Sequence, residues 1–431
     1  MKSGLFVAIL AALVVLAIPV AAILGNLAIG LDWWMNDGRL SRTFGGFLWE
    51  KSTQYLLLSI PLFVLLGEIN LRSGLASEMY GAVAKWLSWL PGGLMHANIG
   101  SSAVFAATSG SSVATAATIG TVAYPEIGRR GYGEPLFLGS VAAGGTLGIL
   151  IPPSVTLIVY GVLTQTSVPR LYLAGVVPGL LLTALFSMVI AGICLLRPAI
   201  GGERVRSSWG ERLRSLVDLA PPAILFTGVV GSIYAGLATP TEAASIGVVI
   251  SLAFAAWRRK LGAAMLRESM EGTVRTTSMI MLIIFAAMIL NIVIGFLGVI
   301  QATTGALGAL GLSPLQLIGL VVVFYLIIGM FMETFSMMLT TIGLVFPLVT
   351  SMGFDPVWFG ILVVLLMETA LITPPIGVNL FVVQGIRRDG APFRDVCVGA
   401  APFVGAMLLM VALLIWQPWI ALWLPEAVYG D

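Results

Sequence analysis

Two short segments of this chain place hydroxyl and carboxylate side chains among apolar residues, and both have the chemistry of a cation site. Ser109-Gly110-Ser111-Ser112, followed at helical spacing by Thr115, offers neutral oxygens that suit a monovalent cation stripped of water. Glu333-Thr334 and, further along, Glu368 supply the acids that lie well inside the apolar segments of the C-terminal half. Acids at such positions are functional candidates, although packing near a helix end also explains them. The serines can equally form a close-packed helix interface.

Two Pro-Pro pairs, Pro152-Pro153 and Pro374-Pro375, lie inside long apolar runs. Proline lacks a backbone N–H and clashes with the preceding turn, so a helix is expected to break just before each pair. Gly145 and Gly148 loosen the first break further. Inside a membrane, a broken helix presents free carbonyls that can bind a small cation and free amides that can receive a carboxylate. One such pair alone could be a simple kink.

The composition indicates which elements must position these groups. Of the 431 residues, 58% are hydrophobic and 10% are charged, and the mean hydropathy is +1.03. A soluble domain carries roughly 25% charged residues, so this chain must lie in a lipid bilayer. At about 20 residues for each span, the length allows roughly ten to twelve helices and no large soluble domain. The sequence therefore predicts an all-α polytopic membrane protein.

The rarer residue types exclude several kinds of chemistry. One histidine, His96, and two cysteines, Cys194 and Cys397, are too few for a zinc site of three or four ligands. No phosphate-binding motif of the G-x-x-x-x-G-K-[ST] type is present. The net charge of +2, with scattered basic residues, is not typical of a nucleic-acid partner. An intramembrane enzyme acting through Ser109 or Glu333 would need a basic side chain at the same depth, and the sequence shows none. We therefore expect no enzyme.

An internal repeat is the strongest pattern in the sequence. The motif Gly148–Val155 resembles Ala370–Gly377, so that Pro152 corresponds to Pro374. Upstream, Ala117–Gly120 resembles Thr340–Gly343. The number of residues between these two copies is almost the same as between the copies of the first motif. Because both motifs recur after nearly the same number of residues, we interpret the chain as two repeats. An extra span between them would turn the second repeat upside down, as is typical of secondary transporters.

This interpretation assigns the chain in three parts. Residues 1–215 form the first repeat, with a retained first span at 5–24, a re-entrant hairpin at about 93–127 that enters from the inside, and a broken span at 135–163. Residues 216–240 contain the inserted span. Residues 241–431 form the second repeat, with a hairpin at about 313–350 that enters from the outside and a broken span at 357–386. Loops rich in arginine are placed on the cytoplasmic side.

Six longer runs resemble one known family: Ile60–Glu68, Leu90–Leu94, Ser109–Gly120, Gly144–Ser154, Gly353–Gly360 and Leu371–Leu380. Together they are similar to the large membrane subunit of tripartite ATP-independent periplasmic (TRAP) transporters, the DctM-like permease. The likeness runs from about residue 5 to 420, and 26–52 and 201–216 match only loosely.

The resemblance implies a sodium-driven symporter of the bacterial inner membrane that carries a small organic anion. It implies an elevator-type motion, as in the ion transporter superfamily, with Na⁺ as the coupling ion and no organic cofactor. Two partners are implied as well: a small four-helix membrane subunit, expected as a separate chain, and a periplasmic substrate-binding protein. A binding-protein-independent ion-coupled anion symporter or antiporter of a related inverted-repeat fold is the alternative.

Where the motifs match, the resemblance also assigns the family's sodium and substrate sites to positions of this chain. The resemblance implies one sodium site from the first hairpin tip and the first break: Ser109, Ser111, Ser112, Gly145 and Gly148. It implies a counterpart from the second tip and the second broken span: Glu333, Thr334, Met367, Ala370 and Thr373. The substrate is expected between the tips, near four residues: Thr115, Pro153, Ser154 and Asn379.

Overall fold

The computed structural model describes residues 19–203, 205, 207–298, 301, 305, 311–387 and 390–430, and all its regular elements are helices. In chain order, the α-helices are α1 (Val20–Asn36), α2 (Phe44–Ser52), α3 (Ser59–Arg72), α4 (Leu75–Leu87), α5 (Leu94–Ser109), α6 (Ser112–Ala123), α7 (Pro125–Arg130), α8 (Glu134–Leu150), α9 (Val155–Thr164), α10 (Val168–Leu196), α11 (Trp209–Phe226), α12 (Pro240–Trp257), α13 (Ala263–Phe296), α14 (Pro314–Gly329), α15 (Thr334–Ser351), α16 (Pro356–Leu371), α17 (Val378–Ile386), α18 (Phe393–Trp416) and α19 (Trp419–Tyr429). The prediction of an all-α protein is confirmed.

Length and composition show which of these helices suit a bilayer. Seven described helices are long and apolar enough to cross a membrane, or eight if α8 and α9 are one bent span. Both α14 and α16 are apolar but shorter. Many large residues exposed on the long helices, among them Leu180, Leu282 and Leu409, are apolar, which suits contact with lipid rather than water. The polytopic membrane architecture is thereby confirmed.

Both Pro-Pro pairs break a helix at the predicted place. Helix α8 ends at Leu150 and α9 begins at Val155, with a bend of 42° between them. Helix α16 ends at Leu371, and α17 begins at Val378. The side chain of Ser154 accepts a hydrogen bond from the Leu157 N–H and so caps α9.

Each half also contains a helical hairpin with a very short turn. Helices α5 and α6 are separated by Gly110 and Ser111, where Gly110 has a left-handed φ of 62° that ends α5. Helices α14 and α15 are separated by 330–333. These are the two predicted hairpins as helix–turn–helix units, and their re-entrant course through the bilayer stays a prediction.

The helix boundaries follow the offset of the sequence repeat. The shift along the chain that takes Pro152 to Pro374 also takes Ser112, the start of α6, to Thr334, the start of α15. The same shift takes Glu134, the start of α8, to Pro356, the start of α16. We call this displacement the repeat shift. The division of the chain into repeats at 215 and 240, and the opposite orientation of the two halves, stay predictions.

The first helix differs from the expected span at 5–24. Most of that range lies outside the described residues, and α1 continues beyond Leu24 through 25–36. Asp37, with a left-handed φ of 53°, ends the helix. The buried carboxylate of Asp32 accepts hydrogen bonds from the backbone of Leu40 and Ser41. These bonds fix the turn that follows the helix.

The span expected within 216–240 also begins earlier. The helix starts at Trp209 and continues through a π-helical turn to Tyr234. Ser208 and Glu211 form a capping box that starts it there. Sequence analysis also missed α4 as a helix, because charged residues interrupt its apolar face.

Candidate transport site between the two hairpin tips

A cavity of about 140 Å³ lies where the two hairpin tips approach each other. The first tip and the start of α15 form two of its walls, and the ends of both broken helices contribute to it. Helices α3 and α13 form the remaining side. The residues that line it are Val64, Gly67, Glu68, Leu71, Ser109–Ala114, Ile149, Val155, Thr276, Ile280, Glu333, Thr334, Phe335 and Leu371.

Hydroxyl groups hold the first tip together. The Ser111 side chain caps α6 by accepting from the Ala114 N–H at 3.4 Å. Thr115 Oγ1 donates to the Ser111 carbonyl at 2.7 Å and lies 3.0 Å from Ser109 Oγ. Thr115 is fully buried behind the turn. The oxygens of this tip are therefore concentrated within two turns of backbone.

The first tip packs directly on the first broken helix. A methyl group added at Gly148 would lie 2.7 Å from the Ser111 carbonyl oxygen, and one added at Gly145 would lie 3.1 Å from that of Ser112. A methyl group at Gly110 would lie 3.0 Å from the carbonyl oxygen of Pro153. Only hydrogen at these positions allows so close an approach. The structure thus brings together the tip residues and glycines that were predicted to share a site.

Glu368 of α16 reaches this first tip from the other half of the chain. Its two carboxylate oxygens lie 2.8 and 2.7 Å from Ser112 Oγ, and both side chains are buried. Glu368 was a candidate acid in the sequence, but its partner was not foreseen. The two residues are 256 positions apart, and no short motif links them.

The second tip carries a carboxylate in place of the hydroxyl cap. Glu333 caps α15 by accepting from the Ser336 N–H at 3.1 Å. A methyl group at Gly329 would overlap the Cβ of Ala370, so this hairpin packs on α16. Thr334 and Met367 are buried. Thr373, in the break after α16, donates its hydroxyl to the Thr369 carbonyl near the end of that helix.

The residues expected near the substrate lie behind the first tip. Thr115, Pro153, Ser154 and Asn379 are not among the residues that line the cavity. Ser154 is used as a helix cap. Asn379 donates to the Ala142 carbonyl at 3.3 Å, and its buried Oδ1 has no hydrogen-bond partner among the described residues.

Helix α3 is a part of the site that sequence analysis missed. Glu68, which no sequence pattern assigned to the site, lines the cavity. Asn70 donates to the Thr108 carbonyl at 2.9 Å, and a methyl group at Gly67 would lie 2.8 Å from the Ser109 carbonyl oxygen. Helix α3 therefore supports the first tip directly. The run Ile60–Glu68 carried the family resemblance, but its residues offered no chemistry of their own that pointed to the site.

Two hairpin tips that meet broken helices at one cavity, inside an all-helical multi-pass protein, are typical of the class of secondary transporters. The family model described as "Tripartite ATP-independent periplasmic transporter, DctM component" matches residues 7–420. The chain therefore belongs to this family, and the resemblance found in the sequence is confirmed. The prediction of a multi-pass protein of the bacterial inner membrane is confirmed with it.

Individual relatives agree with the family. The chain is 32% identical to the C4-dicarboxylate TRAP transporter large permease protein DctM of Vibrio cholerae, over 99% of this chain and 98% of that protein. It is 30% identical to the ectoine/5-hydroxyectoine TRAP transporter large permease protein UehC of Ruegeria pomeroyi, over 87% of each chain. Among solved structures, the YdaH transporter of Alcanivorax borkumensis has a TM-score of 0.66 at 17% identity, covering 98% of this chain and 99% of its own. That likeness concerns the fold.

Proposed function

We propose that this chain is the permease of a TRAP transporter that couples sodium entry to uptake of an organic anion, a carboxylate, delivered by a periplasmic binding protein. The cavity between the two hairpin tips carries this proposal. It places the oxygen-rich first tip, Glu333 of the second tip and the ends of both broken helices around one space. Secondary transporters bind substrate and coupling ion at such discontinuous helices.

The donor atoms around the first tip suit Na⁺. The carbonyl oxygens of Ser111 and Ser112 lie close to Gly148 and Gly145, and the same tip carries the hydroxyls of Ser109, Ser111 and Ser112. Hard cations prefer oxygen ligands of this kind. At the second tip, Glu333 and Thr334 would serve with carbonyls of the second broken helix near Ala370.

The partners and substrate follow from the family. A tripartite transporter of this family implies a small membrane subunit and a soluble binding protein beside the permease. Relatives are named for C4-dicarboxylates and for ectoine, so the substrate proposed here is a small carboxylate. In an elevator-type motion, the tips and broken helices would move together past α3 and α13.

Reconstitution tests the proposal. The permease, its small subunit and the cognate binding protein are placed in proteoliposomes, and uptake of radiolabelled succinate, malate, pyruvate and ectoine is followed under an imposed Na⁺ gradient. We expect uptake of one of them that needs all three proteins and collapses when the Na⁺ gradient is removed. Uptake without the binding protein would favour the independent symporter, and uptake driven by a proton gradient alone would exclude sodium coupling.

Two substitutions test the first cation site. Ser111→Ala and Pro153→Ala should weaken sodium-driven uptake without preventing membrane insertion. Ser77→Ala is the control, because Ser77 is an exposed serine that donates only to the Gly74 carbonyl. If both variants kept the sodium dependence of the wild type, the site assignment would be wrong.

A further inference from the structure

An arginine follows Leu71 and pairs with Glu68, two residues that line the cavity, and is held by acids of two helices. Arg72, in the last turn of α3, pairs through Nη1 with the carboxylate of Glu68 and donates to the Glu68 carbonyl at 3.2 Å. Its Nε lies 3.4 Å from a carboxylate oxygen of Glu268 on α13. The side chains of Arg72, Glu68 and Glu268 are 25%, 20% and 63% exposed. The weakest and most hydrated contact of the arginine is therefore the one with Glu268.

The cavity needs such a cation if its substrate is an anion. The charged residues that line it are Glu68 and Glu333, both acids. A carboxylate that enters this space meets two like charges, which is unfavourable at low dielectric. Among the described basic residues, Arg72 is the one that pairs with a cavity-lining acid.

We propose that Arg72 binds the substrate carboxylate, which takes the place of Glu268. The inference rests on the proposed function. The guanidinium is a planar fork that binds a carboxylate through two parallel hydrogen bonds. Its Nη2 has no partner among the described residues, and Glu268 can return to water at little cost. Glu68 keeps its bond to Nη1 and orients the fork. Arg72 therefore has two carboxylate partners throughout: Glu68 and Glu268 before the exchange, and Glu68 and the substrate after it.

The packing of Glu68 fixes this geometry. A methyl group at Gly272 of α13 would lie 2.5 Å from Glu68 Oε2. Only glycine at this position leaves room for the carboxylate between the two helices. Gly272→Ala should therefore displace Glu68 without changing any charge and should weaken substrate binding through the orientation of Arg72.

Ligand-induced thermal stabilisation of the detergent-solubilised permease measures binding without the other two subunits. Succinate, malate, pyruvate and ectoine are screened on the wild type, and the most stabilising compound is titrated against variants. Arg72→Gln should raise its half-saturating concentration roughly tenfold to hundredfold, the usual effect of losing charge-assisted hydrogen bonds at a site. Arg72→Lys should recover only part of the loss, because lysine lacks the fork. Arg267→Gln removes a comparable but exposed pair with Glu271 and should change nothing.

Glu68→Gln separates binding from mere ion pairing. If the Arg72–Glu68 pair were only structural, Arg72→Gln and Glu68→Gln would break it equally and have the same effect. Under the proposal they differ in size, since Glu68→Gln removes a repelling charge and keeps an oxygen that can accept from Nη1, so the affinity for the carboxylate should fall much less than in Arg72→Gln.

The outcomes distinguish this proposal from the proposed function. Equal titrations for wild type and Arg72→Gln overturn the role of Arg72, and so does a wild type that no carboxylate stabilises. In either case sodium-driven uptake can still be observed in proteoliposomes. Conversely, stabilisation that depends on Arg72 upholds the proposal even where sodium coupling fails.

Discussion

The two hairpin tips hold equivalent positions in the two halves, yet their chemistry differs. Ser111 and Glu333 correspond under the repeat shift, and each accepts a hydrogen bond from the N–H three residues on and so caps the second helix of its hairpin. The backbone needs only an acceptor at this place, and a hydroxyl or a carboxylate oxygen can provide it. The repeat therefore preserves a capping role while one tip carries a hydroxyl and the other a carboxyl group.

The broken helices show the same asymmetry. Thr146 of α8 corresponds to Glu368 of α16 under the repeat shift. Thr146 donates to the Ala143 carbonyl within its own helix, whereas Glu368 is bonded to Ser112 of the opposite half. Both carboxylates, Glu333 and Glu368, thus come from the second half. The backbone is a repeat, but the acids of the tips and broken helices belong to the second half, while Glu68 on α3 is an acid of the first half.

The largest effect is expected where the first tip packs on its broken helix. In Gly148→Ala, the new methyl group would lie 2.7 Å from the Ser111 carbonyl oxygen and 2.9 Å from the Ser112 nitrogen. Backbone atoms cannot move aside as a flexible side chain can, so we expect a loss of about 2–3 kcal/mol in stability. Uptake in proteoliposomes should fall to background. Thermal unfolding in detergent and transport assays measure the two effects.

The second half supplies the controls for this substitution. Position 370, equivalent to 148, already holds alanine, and the close approach there depends on Gly329 instead. Gly329→Ala should therefore be as damaging as Gly148→Ala. Gly319→Ala, on the same helix as Gly329 but with open space around it, should be neutral or slightly stabilising. Normal transport by Gly148→Ala would contradict the close packing of the first tip.

A somewhat smaller effect is expected from the bond that joins the halves. Glu368→Leu leaves the buried Ser112 hydroxyl without its acceptor, and Ser112→Ala leaves the buried carboxyl without its donor. Each change should cost about 1–2 kcal/mol. In the double variant the losses should not add, and a coupling of about 1 kcal/mol is expected from thermal unfolding of all four proteins. Additive losses would show that the two side chains do not interact.

Local rules explain which parts of this architecture the sequence predicted. The two breaks at Pro152 and Pro374 follow from the sterics of proline alone. The contact between the first tip and Gly148 follows almost as directly, since small residues in two polar or broken segments indicate close approach. Each of these features is contained within a short stretch of sequence.

Features that depend on packing between distant helices could not be predicted in the same way. The partner of Glu368 depends on which face of α16 meets α6, and periodicity does not show this for a helix that is buried on all sides. No sequence pattern assigned Glu68 to the site. Its place beside the cavity results from the packing of α3 against α13 at Gly272. The turn that follows α1 depends on the hydrogen bonds of Asp32 rather than on hydropathy.

The helix caps offer a finer test of the comparison between tips. Ser111→Ala and Glu333→Ala should each lower stability by about 1 kcal/mol, since each removes a capping acceptor. Ser111→Asp makes the first tip resemble the second and should retain stability within about 0.5 kcal/mol, since aspartate caps as well as serine. Thermal unfolding of the three variants tests this. If Ser111→Asp lost as much stability as Ser111→Ala, folding would require an uncharged side chain at the first tip and not only a capping acceptor.

The smallest effect is expected outside the site, in α7, the short helix that follows the first hairpin. Arg130 donates to Glu126 at 2.6 Å, and this bond lowers the pKa of Glu126. Because the folded-state pKa lies below the unfolded one, the pair stabilises the protein at neutral pH and loses this contribution as the pH falls through the folded-state pKa. The equivalent positions of the second half, Leu348 and Met352, hold no such pair. Glu126→Gln should therefore lower stability by no more than about 0.5–1 kcal/mol at pH 7, and the difference from wild type should shrink as the pH falls below about 4. Thermal unfolding at both pH values measures the change, and a difference that grew in acid would mean that Glu126 is destabilised rather than stabilised by its surroundings.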